Sequence, residues 1–296
     1  MSFCQPKGSQ NSNSRIAITI DQHRNKADFF LKDMLPTPYV QCKEYDKVYE
    51  PAEDSFLLLD SLETEIPFLQ KQFKNEQKPN YVPFVVELGC GSGILSTFML
   101  QNSIPSLNSL YFPIDVNPHA LEVTKNTIDY NLSMEEKSAN GNLGNSTTKP
   151  HQSSAVPHIY STLQMDLFFG FRPKTIDVLV FNPPYVPAEY VPKIPDSKQV
   201  FKDQNTQREA DLIETNDDVW LDLALLGGPQ GMDITVQVLE NMDKMLTCDG
   251  VAYILFCARN KPEQVAQEWT NKGWKVELVE KRKAGWEVLS VYKFTR

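Results

Sequence analysis

The sequence is poor in the residues that hold metal ions and in those that bind nucleic acids. It has four histidines and five cysteines in 296 residues, and no two cysteines form a CxxC pair. No recognisable zinc site is therefore predicted, and the cysteine usage fits a reducing compartment. Lysine and arginine number 29 against 38 aspartates and glutamates, which gives a net charge of −9. Because affinity for phosphate backbones comes from clustered basic residues, a nucleic-acid-binding protein is a poor first hypothesis.

Long apolar runs are absent as well. No stretch reaches the roughly 18 consecutive apolar residues of a membrane span, and no charged-then-apolar signal segment opens the chain. A hydrophobic content of 41% is still ample for a folded core. We expect a cytoplasmic protein, and a nuclear pool is compatible with these features.

Composition divides the chain unevenly. Residues 1–34 are rich in Ser, Asn and Gln and are predicted to be a poorly ordered leader. Residues 35–296 are predicted to form one domain, interrupted by a low-complexity surface insert at 133–156. A second polar stretch, 193–218, is expected to cover the site or lie beside it.

Strand and helix patterns alternate from residue 48 onward. Helices are predicted at 48–63, 94–103, 117–132, 228–246 and 261–273, and strands at 82–90, 109–115, 158–166, 176–182, 250–258, 274–282 and 286–294. Strands that alternate with helices predict an α/β fold with a doubly wound, mainly parallel, seven-stranded sheet. The closing hairpin is expected to insert an antiparallel last strand. Ligands of such sheets bind beyond the carboxyl ends of the strands.

Those strand ends carry acids and glycines. The first strand ends in ELGCGSG, where Gly89 and Gly91 allow a ligand to approach the backbone closely, and where Glu87 would repel a pyrophosphate. Glu87 would instead favour a cation, such as the amino group and sulfonium of S-adenosylmethionine. Asp115 ends the second strand, where nucleoside sites place an acid for ribose hydroxyls. Asp166 follows the third, beside apolar residues, and could accept the exocyclic amine of adenine.

The fourth strand ends in FNPPYVP, residues 181–187. Consecutive prolines lack the N–H and fix φ, so the strand must stop there and the backbone becomes rigid. The Asn182 side-chain oxygen and a nearby backbone carbonyl can then accept both hydrogens of a planar NH2 group. A plain proline-rich turn is the alternative interpretation. Further upstream, Tyr49, Glu50, Asp54 and Ser55 stand where a helix begins, so they either cap that helix or contact a ligand.

Together these motifs resemble the class I S-adenosylmethionine-dependent methyltransferases that modify amino groups, a Rossmann-like fold with an (N/D)PP(Y/F/W) motif. More specifically, VYEPAEDSFLLLD (48–60), NPPYVP (182–187), LGGPQGMD (226–233) and AGWEVLSVYKFTR (284–296) resemble the HemK-like glutamine methyltransferases. The similarity is to the eukaryotic and archaeal branch, including its fungal member, and covers about residues 35–296.

The resemblance implies a pocket for S-adenosylmethionine, with Ser55, Glu87, Gly89, Asp115, Asp166, Leu167 and Asn182 lining it. It also implies that Asn182, Pro183, Pro184 and Tyr185 hold the amide of the glutamine in the GGQ motif of the class I translation termination factor. That factor could be presented in its complex with the GTP-bound class II factor. A small zinc-binding activator subunit is the implied partner, in a heterodimer.

Two other functions remain open at this stage. The same NPPY chemistry serves methylation of an exocyclic amine of adenine or cytosine, which would need a basic path such as Lys281, Arg282 and Lys283. A non-catalytic methyltransferase-like scaffold is the third reading, with the apolar run Leu221–Leu226 as its interface.

Overall fold

The computed structural model describes residues 35–43, 45–73, 80–141, 159–195 and 217–296. One compact unit runs from Thr37 to Arg296; the other, Met1–Pro36, is described only at its last two residues. The predicted leader 1–34 therefore lies outside the described residues, as do the part of the predicted insert beyond Gly141 and most of the stretch 193–218.

A single mixed sheet organises the larger unit. Its strands are β1 (Phe84–Leu88), β2 (Leu110–Asp115), β3 (Ile159–Tyr160), β4 (Leu163–Gln164), β5 (Ile176–Phe181), β6 (Leu246–Cys257), β7 (Lys275–Ala284) and β8 (Glu287–Thr295). Their order across the sheet is β3-β2-β1-β5-β6-β8-β7, and β4 pairs with β2. The sheet is parallel from β3 to β6. The carboxyl ends of β1, β2 and β5, which carry the predicted site, therefore share one edge.

The last strand, β8, runs antiparallel to the rest of the sheet, as the sequence predicts. β8 pairs antiparallel with both β6 and β7 and so lies between them. The predicted fold class is confirmed. The strand count differs, because the segment predicted as one strand over 158–166 forms two short strands, β3 and β4, which pair with successive parts of β2.

The helices are α1 (Glu53–Phe73), α2 (Ile94–Gln101), α3 (Pro118–Gly141), α4 (Asp217–Leu225), α5 (Asp233–Met245) and α6 (Pro262–Asn271). Two of them extend past their predicted ends. α1 continues through Pro67 to Phe73, because Leu69 and Phe73 keep the apolar face buried on the far side of the proline. α3 continues to Gly141, so the prediction of a surface loop beginning at Ser133 was wrong.

The boundary between α5 and β6 also differs from the prediction. α5 begins at Asp233 rather than at Gly228, because Gly228 and Gly231 adopt positive φ and form a turn before it. β6 begins at Leu246 rather than Gly250, since residues 246–250 continue directly from the helix into the strand.

The central strands form the core. All six residues of β5 are buried, and β6 is buried continuously from Gly250 to Cys257. At the amino end of the sheet, the buried Asp177 accepts hydrogen bonds from the Tyr81 hydroxyl (2.6 Å), the Phe84 N–H (2.8 Å) and the Thr247 hydroxyl (2.8 Å). This carboxylate ties the starts of β1, β5 and β6 together, and the strands then deliver their opposite ends to the site in fixed register.

Candidate active site

A cavity of about 390 Å³ lies at the carboxyl ends of β1, β2 and β5. All eleven site residues predicted from the sequence line it: Ser55, Glu87, Gly89, Gly91, Asp115, Asp166, Leu167, Asn182, Pro183, Pro184 and Tyr185. The structure thus brings residues from five separate segments of the chain to one place. A volume of this size suits a ligand of small-molecule dimensions.

The glycine loop after β1 forms one wall. Gly93 precedes α2 with a φ of +76°, and an added Cβ there would lie 2.7 Å from the Cα of Thr124 on α3. Only glycine permits this close approach of the loop to α3. The loop in turn directs the Gly91 N–H toward Asp115, whose Oδ2 accepts it at 3.0 Å.

Glu87, at the end of β1, is a buried acid. It is 4% exposed, and burial raises the pKa of its carboxyl from 4.5 to about 8, although the hydrogen bond that Oε2 accepts from the Ser96 hydroxyl opposes this rise. A buried carboxyl of raised pKa binds either a proton or a cationic ligand. The position therefore favours a positively charged group in the cavity.

Asp115, at the end of β2, is held by the backbone on both oxygens. Oδ1 accepts the N–H of Asn117 at 2.9 Å, and Oδ2 accepts that of Gly91. Burial raises the pKa of Asp115, and these N–H groups counter the effect by favouring the ionised form. Asn117 caps α3 through its Oδ1, which accepts the His119 N–H at 2.9 Å.

Asn182 stands at the end of β5 with an unsatisfied acceptor. Its Oδ1 is buried and has no hydrogen-bond partner among the residues that the structure describes. A buried oxygen without a partner costs free energy, and such atoms are uncommon in folded proteins. Asn182 is one of the residues that line the cavity, and an NH2 group of a ligand that reaches this side chain can satisfy the oxygen.

Tyr185 is oriented by an acid from another part of the chain. Asp54, on the first turn of α1, is 3% exposed, and its Oδ2 accepts the hydroxyls of Tyr49 at 3.0 Å and Tyr185 at 3.4 Å. Its Oδ1 accepts the Ser55 N–H at 2.6 Å. Burial, followed by the charge of Asp54, raises the pKa of both phenols. Both tyrosines are therefore neutral donors. Asp54 accepts a backbone N–H at the start of α1 and also the hydroxyls of two residues that line the cavity. Glu50, by contrast, is exposed.

Comparison with known proteins decides the family. No model of a known protein family matches the chain. The eRF1 methyltransferase catalytic subunit mtq2 of Schizosaccharomyces pombe is 32% identical over 267 residues, which cover 89% of this chain and 96% of that protein. The chain belongs to the HemK-like glutamine methyltransferase family. Methyltransferase HEMK2 of Homo sapiens is 28% identical over 255 residues, covering 85% of this chain and 91% of that protein. A solved structure, the E. cuniculi Mtq2–Trm112 complex, has 19% identity and a TM-score of 0.46, over 84% of this chain and 99% of that one.

Membership of the HemK-like family confirms the resemblance read from the motifs and the prediction of a methyltransferase. It also makes the scaffold interpretation unnecessary. In the scaffold interpretation the run Leu221–Leu226 is the interface. It lies mainly in α4. The preceding residue, Trp220, is buried against His119, and the centroids of the two rings are 6.2 Å apart. Leu223 and Leu225 line the cavity, and Leu226 forms a parallel bridge with Val186. Part of this run therefore forms a wall of the cavity.

Only part of the apolar sequence around Asp166 faces the cavity. Phe168 is fully buried in the core and Phe169 is 51% exposed to solvent, so neither lines the cavity. Met165 and Leu167 line it instead. Leu167 has a φ of +51°, and this left-handed backbone places it on the cavity side of the turn while Phe168 enters the core.

The basic patch required by the nucleic-acid reading is largely neutralised. Lys281 pairs with Glu263 at 3.0 Å, and Arg282 pairs with Asp60 at 2.7 Å and with Glu280 at 2.5 Å. Among the described residues that line the cavity, Lys193 is the only cationic side chain.

The described residues contain no group of three or more His, Cys, Asp or Glu that could hold a metal ion. None of the described helices is long and apolar enough to span a membrane.

Sequence reasoning missed Asn260, which follows β6 and whose side-chain amide contacts the backbone of the NPPY loop. No local pattern marks such a residue, because its partners are far away in the chain.

Proposed function

We propose that this chain methylates the side-chain amide of the glutamine in the GGQ motif of the class I translation termination factor. It acts as the catalytic subunit of a heterodimer with a small zinc-binding activator. The observation that carries the proposal is the buried Asn182 Oδ1, an acceptor without a partner among the described residues, at the end of a fully buried strand.

S-adenosylmethionine is the proposed cofactor, and the donor set fits it. Glu87 suits the cationic amino group, the oxygens of Asp115 suit ribose hydroxyls, and Asp166 beside Leu167 suits the exocyclic amine of adenine. Ser55, Gly89 and Gly91 supply the remaining contacts at the first turn of α1 and in the glycine loop. When bound, this cofactor supplies an electrophilic methyl group.

The protein's own part is to position and activate an amide nitrogen. Such a nitrogen is a weak nucleophile, because its lone pair is delocalised into the carbonyl. Hydrogen bonds from its two hydrogens to Asn182 Oδ1 and the Pro183 carbonyl return electron density to the nitrogen and fix its direction. Tyr185, oriented by Asp54, stacks on the planar amide and excludes water. No general base is needed before the attack, since the product loses its proton afterwards.

The choice of a protein amide over a nucleic-acid base rests on charge and on relatives. The net charge is −9, and Lys281 and Arg282 are engaged in ion pairs. The S. pombe relative is named as the catalytic subunit of an eRF1 methyltransferase, which supports both the substrate and the second subunit.

The test is co-expression with the activator, incubation with S-adenosylmethionine and termination factor, and mass spectrometry of the GGQ peptide. We expect the mass of one added methylene on the glutamine. Parallel reactions with DNA and RNA, run with S-adenosylmethionine labelled on its methyl group, should leave the nucleic acids unlabelled. Labelled nucleic acid together with an unmodified GGQ peptide would overturn the proposal and favour base methylation.

Substitution of Asn182 tests the role of the carrying residue. Asn182→Ala should lower kcat by about 100-fold or more, since it removes one oriented acceptor from the reacting amide. The substitution breaks no hydrogen bond of Oδ1 with the described residues, so the thermal midpoint should change little. Calorimetric affinity for the cofactor should be largely retained. If kcat and cofactor affinity fell by equal factors, Asn182 would not have the assigned role.

A further inference from the structure

The NPPY loop is packed on a second loop that sequence reasoning left without a function. We call residues Gly227–Gly231 the glycine turn. A Cβ added at Gly227 would lie 2.3 Å from the Pro184 carbonyl oxygen, and one added at Gly231 would lie 2.1 Å from that of Tyr185. Gly231 also has a φ of +66°. The glycines of the turn therefore allow its backbone to touch the backbone of the NPPY loop directly.

Backbone hydrogen bonds join the same two segments. The Val186 N–H donates to Leu225 O at 2.9 Å, and the Gly227 N–H donates to Val186 O at 2.9 Å. The Ala188 N–H donates to Gly228 O at the same distance. These bonds fix the part of the loop that follows Tyr185, and they leave the Tyr185 carbonyl to another partner.

That partner is Asn260. It is 5% exposed and lies in the short 3-10 helix Ala258–Asn260 that follows β6. Its Nδ2 lies 3.3 Å from Tyr185 O, 3.3 Å from Gly231 O and 3.2 Å from Gln230 O. Its Oδ1 accepts the Cys257 N–H at 2.9 Å. One side chain thus connects the end of β6, the glycine turn and the NPPY loop.

We propose that Asn260 is a positioning residue for methyl transfer: it holds the NPPY loop at the place where Asn182 and Tyr185 meet the substrate amide. The inference rests on the proposed function. Asn260 does not line the cavity, so it acts through the Tyr185 carbonyl. A displacement of about 1 Å in a reacting geometry can lower a rate 100-fold, so a fixed loop position matters to the chemistry.

The isosteric substitution Asn260→Asp tests this. It replaces the donor Nδ2 with an oxygen that faces three carbonyl oxygens, and the loop should move away. We expect kcat to fall about 10- to 100-fold, with the dissociation constant for S-adenosylmethionine within about threefold of wild type. The introduced carboxyl group is buried, which raises its pKa, and its protonated form can donate one hydrogen bond. The ratio of variant to wild-type kcat should therefore rise as the pH falls from 8 to 6.

Asn131→Asp provides a matched control. Asn131 is also buried, at 7% exposure, and its Nδ2 donates to Tyr39 O at 2.8 Å and to Thr127 O at 2.7 Å. It does not line the cavity. N131D should lose about as much thermal stability as N260D, but its kcat should stay within about twofold of wild type. The ratio of its kcat to the wild-type kcat should not rise at low pH.

Amide hydrogen exchange gives a readout that needs no activity. The backbone amides of Val186, Ala188 and Gly227 should exchange faster in N260D than in the wild-type protein. In N131D these amides should exchange at the wild-type rates. Wild-type exchange rates at these amides in N260D would overturn the inference. So would an N260D kcat within twofold of wild type, or a loss matched by N131D. A wild-type enzyme that leaves the GGQ glutamine unmodified would refute the proposed function, and the exchange data would then decide whether Asn260 holds the loop.

Discussion

The raised pKa of Glu87 predicts that cofactor binding and protein stability respond to pH in opposite directions. Burial raises this pKa from 4.5 to about 8, so the folded protein without ligand holds a proton on Glu87 at neutral pH. A cationic ligand needs the ionised carboxylate. Binding must therefore release that proton, and affinity should rise roughly tenfold per pH unit between about pH 6 and 7 and level off above about pH 8.

Stability should follow the reverse course. The unfolded state releases the Glu87 proton near pH 4.5, whereas the folded state retains it up to about pH 8. The folded protein binds more protons within that window, so the contribution of Glu87 is fully present below pH 4.5 and is lost as the pH rises through 8. The loss is at most about 1.4 kcal/mol per pH unit.

The assay combines calorimetry with S-adenosylmethionine and thermal melts of the ligand-free protein at several pH values. The amino group of the ligand titrates in the same pH range. Glu87→Gln therefore measures the pH dependence of affinity that remains without the Glu87 carboxyl. The variant should bind more weakly, and both its affinity and its melting temperature should vary less with pH. Glu240→Gln, an exposed change on α5, should retain the wild-type slopes. If E87Q had the same slopes as wild type, the carboxyl would not carry the proton and the reasoning would be refuted.

Two further substitutions probe the other end of the cavity and the sheet. Asp115→Ala should weaken S-adenosylmethionine binding about 10- to 100-fold, because it removes the acceptors proposed for the ribose hydroxyls; calorimetry measures this, and an unchanged dissociation constant would exclude the assignment. Lys293→Met should lower the free energy of unfolding by about 3 kcal/mol. Glu65 is now paired with Lys293 at 2.8 Å and with the Tyr253 hydroxyl at 2.9 Å, and its side chain is 14% exposed, so the substitution leaves a largely buried charge without its cation. Urea unfolding checks this, and the double variant with Glu65→Gln should recover part of the loss; a double variant less stable than K293M would contradict the explanation.

Much of the fold could be predicted because its signals are local. Apolar runs such as Ile176–Phe181 mark strands buried on both faces, and the acids and glycines at their ends mark the ligand edge of a parallel sheet. Apart from Ser55, which lies on the first turn of α1, the predicted site residues line the cavity for the same reason: a strand end is fixed in space by the pairing of its strand. Their roles remain proposals that the substitutions above test.

The features that were missed depend on distant contacts. α1 passes through Pro67 because buried Leu69 and Phe73 outweigh the local cost of a proline, which a helix rule cannot include. Asn260 lies 75 residues from the Tyr185 carbonyl that it contacts, and nothing in its neighbourhood distinguishes it from a polar residue after a strand. The turn at Gly227–Gly231 resembled the start of a helix until its backbone angles were known.

The position of β8 has a consequence for how the protein is made. It is the last strand of the sheet in chain order, yet it lies between β6 and β7. During synthesis the strands from β1 to β6 can pair as they appear. The edge of β6 that faces away from β5 then has no partner strand, although most of β6 is buried in the finished sheet. β7 appears next and could occupy that edge before β8 arrives. The nascent chain therefore needs β7 to stay away from β6 until β8 is available, and mispairing at this edge is the expected route to aggregation.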